Sequence, residues 1–298
     1  MNLPISCELN ITNYCNLDCY FCSANCSSKK DFHKINMKNL DKIIMQLKRV
    51  KCMYVSISGG EPMIHPEFFS IVKKLSENEF IVTLTTNGTL INKETINHII
   101  SCGIKWVQIS IHSFNGETCK KIMGSDVQSK IFNALDIVNS TEGVGISACI
   151  VKNVNNYNEI NDISKYLKIK GIPEIIREEI PIGKLLGKKN ITIDCDKEDL
   201  FNLYTDNRDN NFTKPRKFAI TVEGDIVTCS ELGVPLGNIF EHDLLEIWNK
   251  NKVIGLCKGY GEIDCLAKYY YHCEYIKNKV DTINNESRKN YTDNYTSF

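Results

Sequence analysis

Three cysteines fall within eight residues near the amino terminus, in Cys15-Asn-Leu-Asp-Cys19-Tyr-Phe-Cys22. Thiolates are soft ligands that suit iron–sulfur clusters and zinc. Three of them on one short loop can hold three irons of a cubane and leave the fourth open to a ligand that is not protein. Cys26 places a fourth sulfur within twelve residues, so a closed structural zinc site using all four is a second option. A disulfide loop is a third, disfavoured in a reducing compartment. In the cubane reading Cys26 is a bystander, because a fourth thiolate would block the open iron.

The elements that must position this loop follow from periodicity. Leu3, Ile5, Cys7, Leu9 and Ile11 occupy every second position, the period of a strand with one buried face, and the cysteine loop follows that strand's end. Helices are then expected at 34–50, 66–77, 93–102, 127–138 and 157–168, between strands at 53–58, 80–86, 104–111, 144–151 and 172–180. Strictly alternating strands and helices argue for a parallel sheet with right-handed crossovers. Six such units are too few for a closed eight-stranded barrel, so an open (β/α)6 partial barrel is predicted. Ligands of parallel sheets bind at the carboxyl ends of the strands, which is where the cysteine loop lies.

Other strand ends carry polar residues that could line the same mouth. Strand two runs into Ser58-Gly59-Gly60-Glu61-Pro62, whose glycines let main chain approach a ligand. Strand three ends in Thr85-Thr86-Asn87-Gly88 and strand four in Ser110-Ile111-His112. Strand five leads to Lys152-Asn153, and strand six contains Arg177-Glu178-Glu179. The plain alternatives are an ordinary turn at Gly59-Gly60, a structural histidine at His112 and solvated surface residues at the rest.

The C-x3-C-x2-C spacing with an aromatic before the last cysteine resembles the radical S-adenosylmethionine (SAM) superfamily. The resemblance implies an α/β fold, the partial (β/α)6 radical SAM barrel. It implies a 4Fe–4S cluster on Cys15, Cys19 and Cys22, with Phe21 near the adenine of SAM. It further implies that Gly59, Gly60 and Glu61 grip the SAM ammonium and that Asn87 lies close to SAM. Ser110 and His112 would hydrogen-bond the ribose or the methionine carboxylate, although many relatives have Asp where His112 stands. Asn153 would line the same site, and Arg177 would pair with the carboxylate. The implied activity is reductive cleavage of SAM to a 5′-deoxyadenosyl radical that abstracts hydrogen from substrate. That chemistry needs an external electron donor of ferredoxin or flavodoxin type and makes the enzyme oxygen-sensitive.

After Pro181 the alternation stops. Residues 184–216 read as a connector with one helix near 197–204. Phe218–Cys229 then reads as a β-hairpin around Glu223-Gly224-Asp225. Gly224 stands five positions before Cys229, an arrangement that resembles the SPASM and twitch extensions of radical SAM enzymes. Leu236–Ile239 is expected as a loop and Leu244–Trp248 as a helix in such an extension. Cys229, Cys257, Cys265 and Cys273 supply four thiols, enough for a second, auxiliary 4Fe–4S cluster, with Cys195 as a possible substitute. Buried reduced cysteines are the alternative. The predicted organisation is a barrel over 1–183, a connector over 184–216, an auxiliary-cluster unit over 217–276 and a mobile polar tail over 277–298.

The 298 residues are 42% hydrophobic and 24% charged with zero net charge, which fits a folded domain and disfavours nucleic acid as a partner. No apolar run is long enough to span a bilayer, and no signal peptide is recognised, so no membrane partner and a cytoplasmic location are expected. Fourteen cysteines then point to metal-bound thiolates. Cys7, Cys52, Cys102, Cys119 and Cys149 are expected as small buried hydrophobes. The substrate expected from the resemblance is a peptide or protein side chain. A small molecule is the alternative, and a non-catalytic iron–sulfur or zinc protein is the competing class. The chain starts at its first strand, so a peptide would be recruited by the cavity rim or by a separate protein. The ending Tyr295-Thr-Ser-Phe298 disfavours the molybdenum-cofactor enzyme, which normally ends in Gly-Gly.

Overall fold

A computed structural model of the chain describes residues 3–28, 32–180, 182–186, 217–229, 231–256 and 266–291. The cysteines at 195, 257 and 265, most of the expected connector and its helix near 197–204 lie outside the described residues. Six parallel strands follow one another across a sheet: β1 (Ser6–Thr12), β2 (Tyr54–Gly59), β3 (Ile81–Thr86), β4 (Ile104–Ser110), β5 (Gly145–Lys152) and β6 (Glu174–Glu178). The crossovers carry helices α1 (Met37–Arg49), α2 (Phe68–Glu77), α3 (Lys93–Ser101), α4 (Gly116–Met123), α5 (Gln128–Asn139) and α6 (Ile160–Ile169). β1 pairs with β2 and not with β6, so the barrel is open, as its unit count predicts.

The core forms between the strands and this helical layer. Alternate residues of β1 (Cys7, Leu9, Ile11) are fully buried, and Leu9 lies opposite Ile57 of β2. Leu40, Ile43, Ile44 and Leu47 form the inward stripe of α1, whose first turn is capped by the Asn36 side chain accepting from the N–H of Asn39. Cys7, Cys52, Cys102 and Cys119 pack into this core. Cys149 is buried but stands apart from it, beside Ser110 in the sheet register.

The structure departs from the expectation in four places. Helix α4 was not expected; Asn115 caps it, and Cys119, Ile122 and Met123 form its buried face. β6 covers 174–178 rather than the expected 172–180, and as the edge strand it leaves Ile175 and Ile176 exposed. Residues expected as a loop before 239 instead form strand β9 (Pro235–Asn238), paired to β8 (Asp225–Val227), which pairs to β7 (Lys217–Ile220). β7 adds to the free edge of β1 in parallel, so barrel and extension share one nine-stranded sheet.

The fourth departure is the tail. Much of what reads as a mobile segment is helix α9 (Glu274–Arg288), which follows α7 (Leu244–Lys250) and the short α8 (Leu266–Tyr270). Ile276, Val280, Asn284 and Ser287 form its buried stripe. Half of that stripe is polar, which hid it from composition. Its polar groups are satisfied, since Asn284 accepts from Asn251 Nδ2 and donates to Pro235 O, both at 2.9 Å. No helix among the described residues is long and apolar enough to cross a membrane.

Candidate iron–sulfur and SAM site

The cysteine loop leaves β1 at Thr12 and is fastened from several sides. The N–H groups of Asp18 and Tyr20 donate to Met123 O and Ile122 O at the end of α4, each at 3.1 Å. Gly60 N–H donates to Thr12 O at 2.7 Å and Glu61 N–H to Tyr14 O at 2.9 Å, docking the turn after β2 against the loop's first residues. A Cβ on Gly60 would stand 1.9 Å from Tyr14 O, and Gly59 has φ +124°, so this approach requires both glycines.

Cys15, Cys19 and Cys22 are half-buried and close enough for their charges to act on one another. Burial pushes Cys15 up to about 11 and Cys19 well up. Cys22 is drawn down to about 6, first by a hydrogen bond from the Cys26 side chain; the Cys26 N–H also donates to its Sγ at 3.3 Å. Cys26 thus sits as a donor to the Cys22 sulfur. Among the described residues no three His, Cys, Asp or Glu side chains converge on one ion. The donor set, three soft ligands spread over one loop, fits the cluster.

Glu61 is fully buried with its carboxylate turned into the protein. Oε1 accepts from Thr86 Oγ1 at 2.8 Å and Met63 N at 3.2 Å, and Oε2 accepts from Asn87 N at 2.8 Å. Burial raises its pKa to about 7. Asn87, so held, donates to Asn16 Oδ1 at 2.8 Å and lies 3.9 Å from Cys15 Sγ. The second and third strand ends therefore meet at the first cysteine.

Phe21 packs edge-on against His112, ring centroids 5.0 Å apart. His112 is buried just past β4, and burial lowers its pKa to about 4. Its Nδ1 accepts from Val151 N at 3.1 Å, which leaves the proton on Nε2. Ser110 ends β4 opposite Cys149. The amide of Asn153 is engaged locally: Nδ2 donates to Val151 O at 3.0 Å and Oδ1 accepts from Asn155 N at 2.9 Å. Arg177 pairs with Glu231 of the extension at 2.6 Å.

In the extension, Cys229 is half-buried and its Sγ accepts from Leu232 N at 3.2 Å, while Cys273 caps α9. Tyr271 donates to Leu232 O at 2.7 Å, which draws the Cys229 and Cys273 segments together. Several contacts had no sequence signal. Tyr20 bonds Glu179 and receives Asn155 Nδ2 at 3.3 Å, and Lys184 pairs with Asp18. Each joins residues more than a hundred positions apart.

Comparison with known proteins bears on this arrangement. The family model of the radical SAM superfamily matches residues 9–167, and that of the SPASM iron–sulfur cluster-binding domain matches 212–274. Mycofactocin maturase MftC of Mycobacterium tuberculosis is 26% identical over 184 residues, 62% of this chain and 47% of that protein. GTP 3′,8-cyclase of Aquifex aeolicus is 26% identical over 187 residues, 59% of this chain and 57% of that protein. The chain spans about half the length of the curated relatives it matches. Among solved structures, Streptococcus suis SuiB bound to S-adenosylmethionine superposes with TM-score 0.62 at 20% identity, covering 90% of this chain and 72% of that one. Native anSMEcpe with bound AdoMet gives TM-score 0.64 at 17% identity, covering 96% and 100%. Those two likenesses establish the fold, a radical SAM partial barrel with a carboxyl-terminal extension. The matched domains imply SAM, its 4Fe–4S cluster and an auxiliary iron–sulfur centre as cofactors. With more than half of its length matched by the first family model and the cysteine loop seated at the strand ends, the chain belongs to the radical SAM superfamily.

Proposed function

We propose that the chain reductively cleaves SAM and abstracts a hydrogen atom from a residue of a peptide substrate. One observation carries the SAM reading: the Cys15–Cys22 loop, the Gly59-Gly60 turn, Asn87 and the Phe21–His112 pair converge at the carboxyl ends of β1 to β4. The bound cofactors supply the carbon-centred oxidant. The chain's own residues bind, orient and shield. Cys15, Cys19 and Cys22 hold the cluster, and Asn87 steadies Cys15. Phe21 offers an apolar flank for an adenine. His112, neutral with a proton on Nε2, donates a hydrogen bond to a ribose hydroxyl or carboxylate, and Ser110 stands beside it. The Tyr20–Glu179 contact spans the seam between the loop and the end of β6, where it limits water entry. Cys229 and Cys273 belong to the auxiliary centre, and an external ferredoxin- or flavodoxin-type donor supplies electrons.

The choice of a peptide rests on the inner wall. The residues alternating with the core positions are largely uncharged and polar: Ser56 lies opposite Thr83, Thr85 opposite Gln108, and Gln108 opposite Ser147. Hydroxyls and amides match the hydrogen-bonding groups of a peptide. A nucleoside triphosphate calls instead for clustered Lys and Arg, and Arg177 is paired with Glu231. Anaerobic reconstitution tests the reading. Roughly four or eight irons per chain are expected, with dithionite-driven release of 5′-deoxyadenosine. That release should rise, with a mass change, on adding a precursor-type peptide encoded beside the gene. Stimulation by GTP instead would overturn the peptide assignment, and no 5′-deoxyadenosine at all would overturn the enzyme.

A further inference from the structure

The segment after β6 returns to the cysteine loop and lies down on it. Lys184 N–H donates to Cys22 O at 3.1 Å. Gly183 has φ +58°, and a Cβ there would stand 2.3 Å from both Cys22 O and Ser23 O, so the two main chains are in direct contact. Ile182 and Leu185 anchor the segment on either side, both buried. The Lys184 ammonium pairs with Asp18 Oδ1 at 2.5 Å, beside Cys19 in sequence. The lysine side chain is only 12% exposed, whereas that of Asp18 is 46% exposed.

That asymmetry decides the sign of the field. A charge facing water is screened more strongly than one held in the protein. The pair therefore acts on the loop as a net positive source, although its formal charges cancel. Adding an electron to a cluster adds negative charge, which a nearby cation stabilises. Hydrogen bonding, net charge and solvent exposure set the potential of such clusters.

We infer that Lys184, beyond the span matched by the barrel family model, is a positioning residue that raises the reduction potential of the cluster held by Cys15, Cys19 and Cys22. Asp18 opposes it. The inference rests on the proposed cluster site and assigns that site an electrostatic regulator.

The test is an EPR-monitored redox titration of the anaerobically reconstituted full chain, following the signal that changes on adding SAM. Lys184→Met keeps the main-chain bond to Cys22 and should shift the midpoint to more negative potential, while Lys184→Arg should stay at the wild-type value. Asp18→Asn should shift it the opposite way. Loosening of the loop would not produce shifts of opposite sign. Wild-type iron content with an unmoved midpoint in Lys184→Met overturns the inference. Should that variant lose its cluster, Asp18→Asn decides alone, and no positive shift there overturns it. A wild-type chain that takes up no iron would remove the cluster reading and this inference together, whereas iron uptake with unmoved midpoints removes this inference only.

Discussion

The carboxylate of Glu61 accepts the main-chain N–H of Asn87 at 2.8 Å, and the Asn87 amide reaches Cys15 Sγ at 3.9 Å. A glutamate from the glycine-rich turn thus acts on the cysteine loop through a neighbour. Burial lifts Glu61 from 4.5 to about 7, so between those values the folded chain keeps a proton that the unfolded chain has released. The stabilisation is complete below the lower value and is lost as pH rises through the upper one. It is on the order of 3 kcal/mol. Denaturant unfolding of the anaerobic apoprotein should show stability falling from about pH 5 to about pH 8 in the wild type. Glu61→Gln should flatten that slope, and parallel profiles would refute the assignment.

Gly60→Ala tests the close approach to the loop. Its Cβ would meet main-chain oxygen of Tyr14, which cannot swing aside as a flexible side chain could. A cost of about 3 kcal/mol is expected, at the upper end for overpacking. Thermal unfolding should drop accordingly and cluster uptake should fall. Unchanged values would mean that the turn is looser than its hydrogen bonds imply.

The two sets of cysteines should separate cleanly. Ala at Cys15, Cys19 or Cys22 is expected to abolish release of 5′-deoxyadenosine. Ala at Cys229 or Cys273 should spare SAM cleavage, lower iron content and impair product formation. Cys119→Ala, on the buried face of α4, should leave iron binding unchanged. Iron assay with a 5′-deoxyadenosine measurement on each variant distinguishes these outcomes.

Phe21→Ala removes the ring that faces His112. A contact between this ring and the adenine of SAM would contribute about 1 kcal/mol beyond area burial, so SAM affinity should weaken by roughly fivefold. Equilibrium binding to the reconstituted protein measures it. Retained affinity would place the adenine elsewhere.

Helix α9 can be weighed directly. Ile276 is fully buried, and Ile276→Ala should cost about 2–4 kcal/mol. Lys277→Ala, on the exposed side, should cost almost nothing. Equal effects on chemical denaturation would show that the helix does not pack as a structural member.

The partial barrel was legible because its signals are local. Alternation in Ser6–Thr12 and three- and four-residue spacing in Met37–Arg49 report which face is buried, and Cys15, Cys19 and Cys22 sit close enough in sequence for one loop to carry them. Helix α9 was not legible, because Asn284 and Ser287 are buried through partners supplied by distant segments, and composition counts them as polar. The inward turn of Glu61, the pairing of Arg177 with Glu231 and the return of Lys184 to Asp18 belong to the tertiary structure alone. Each joins residues far apart along the chain. Such a contact exists only after the sheet has curved and set one strand's end beside another's, so no run of neighbouring residues encodes it.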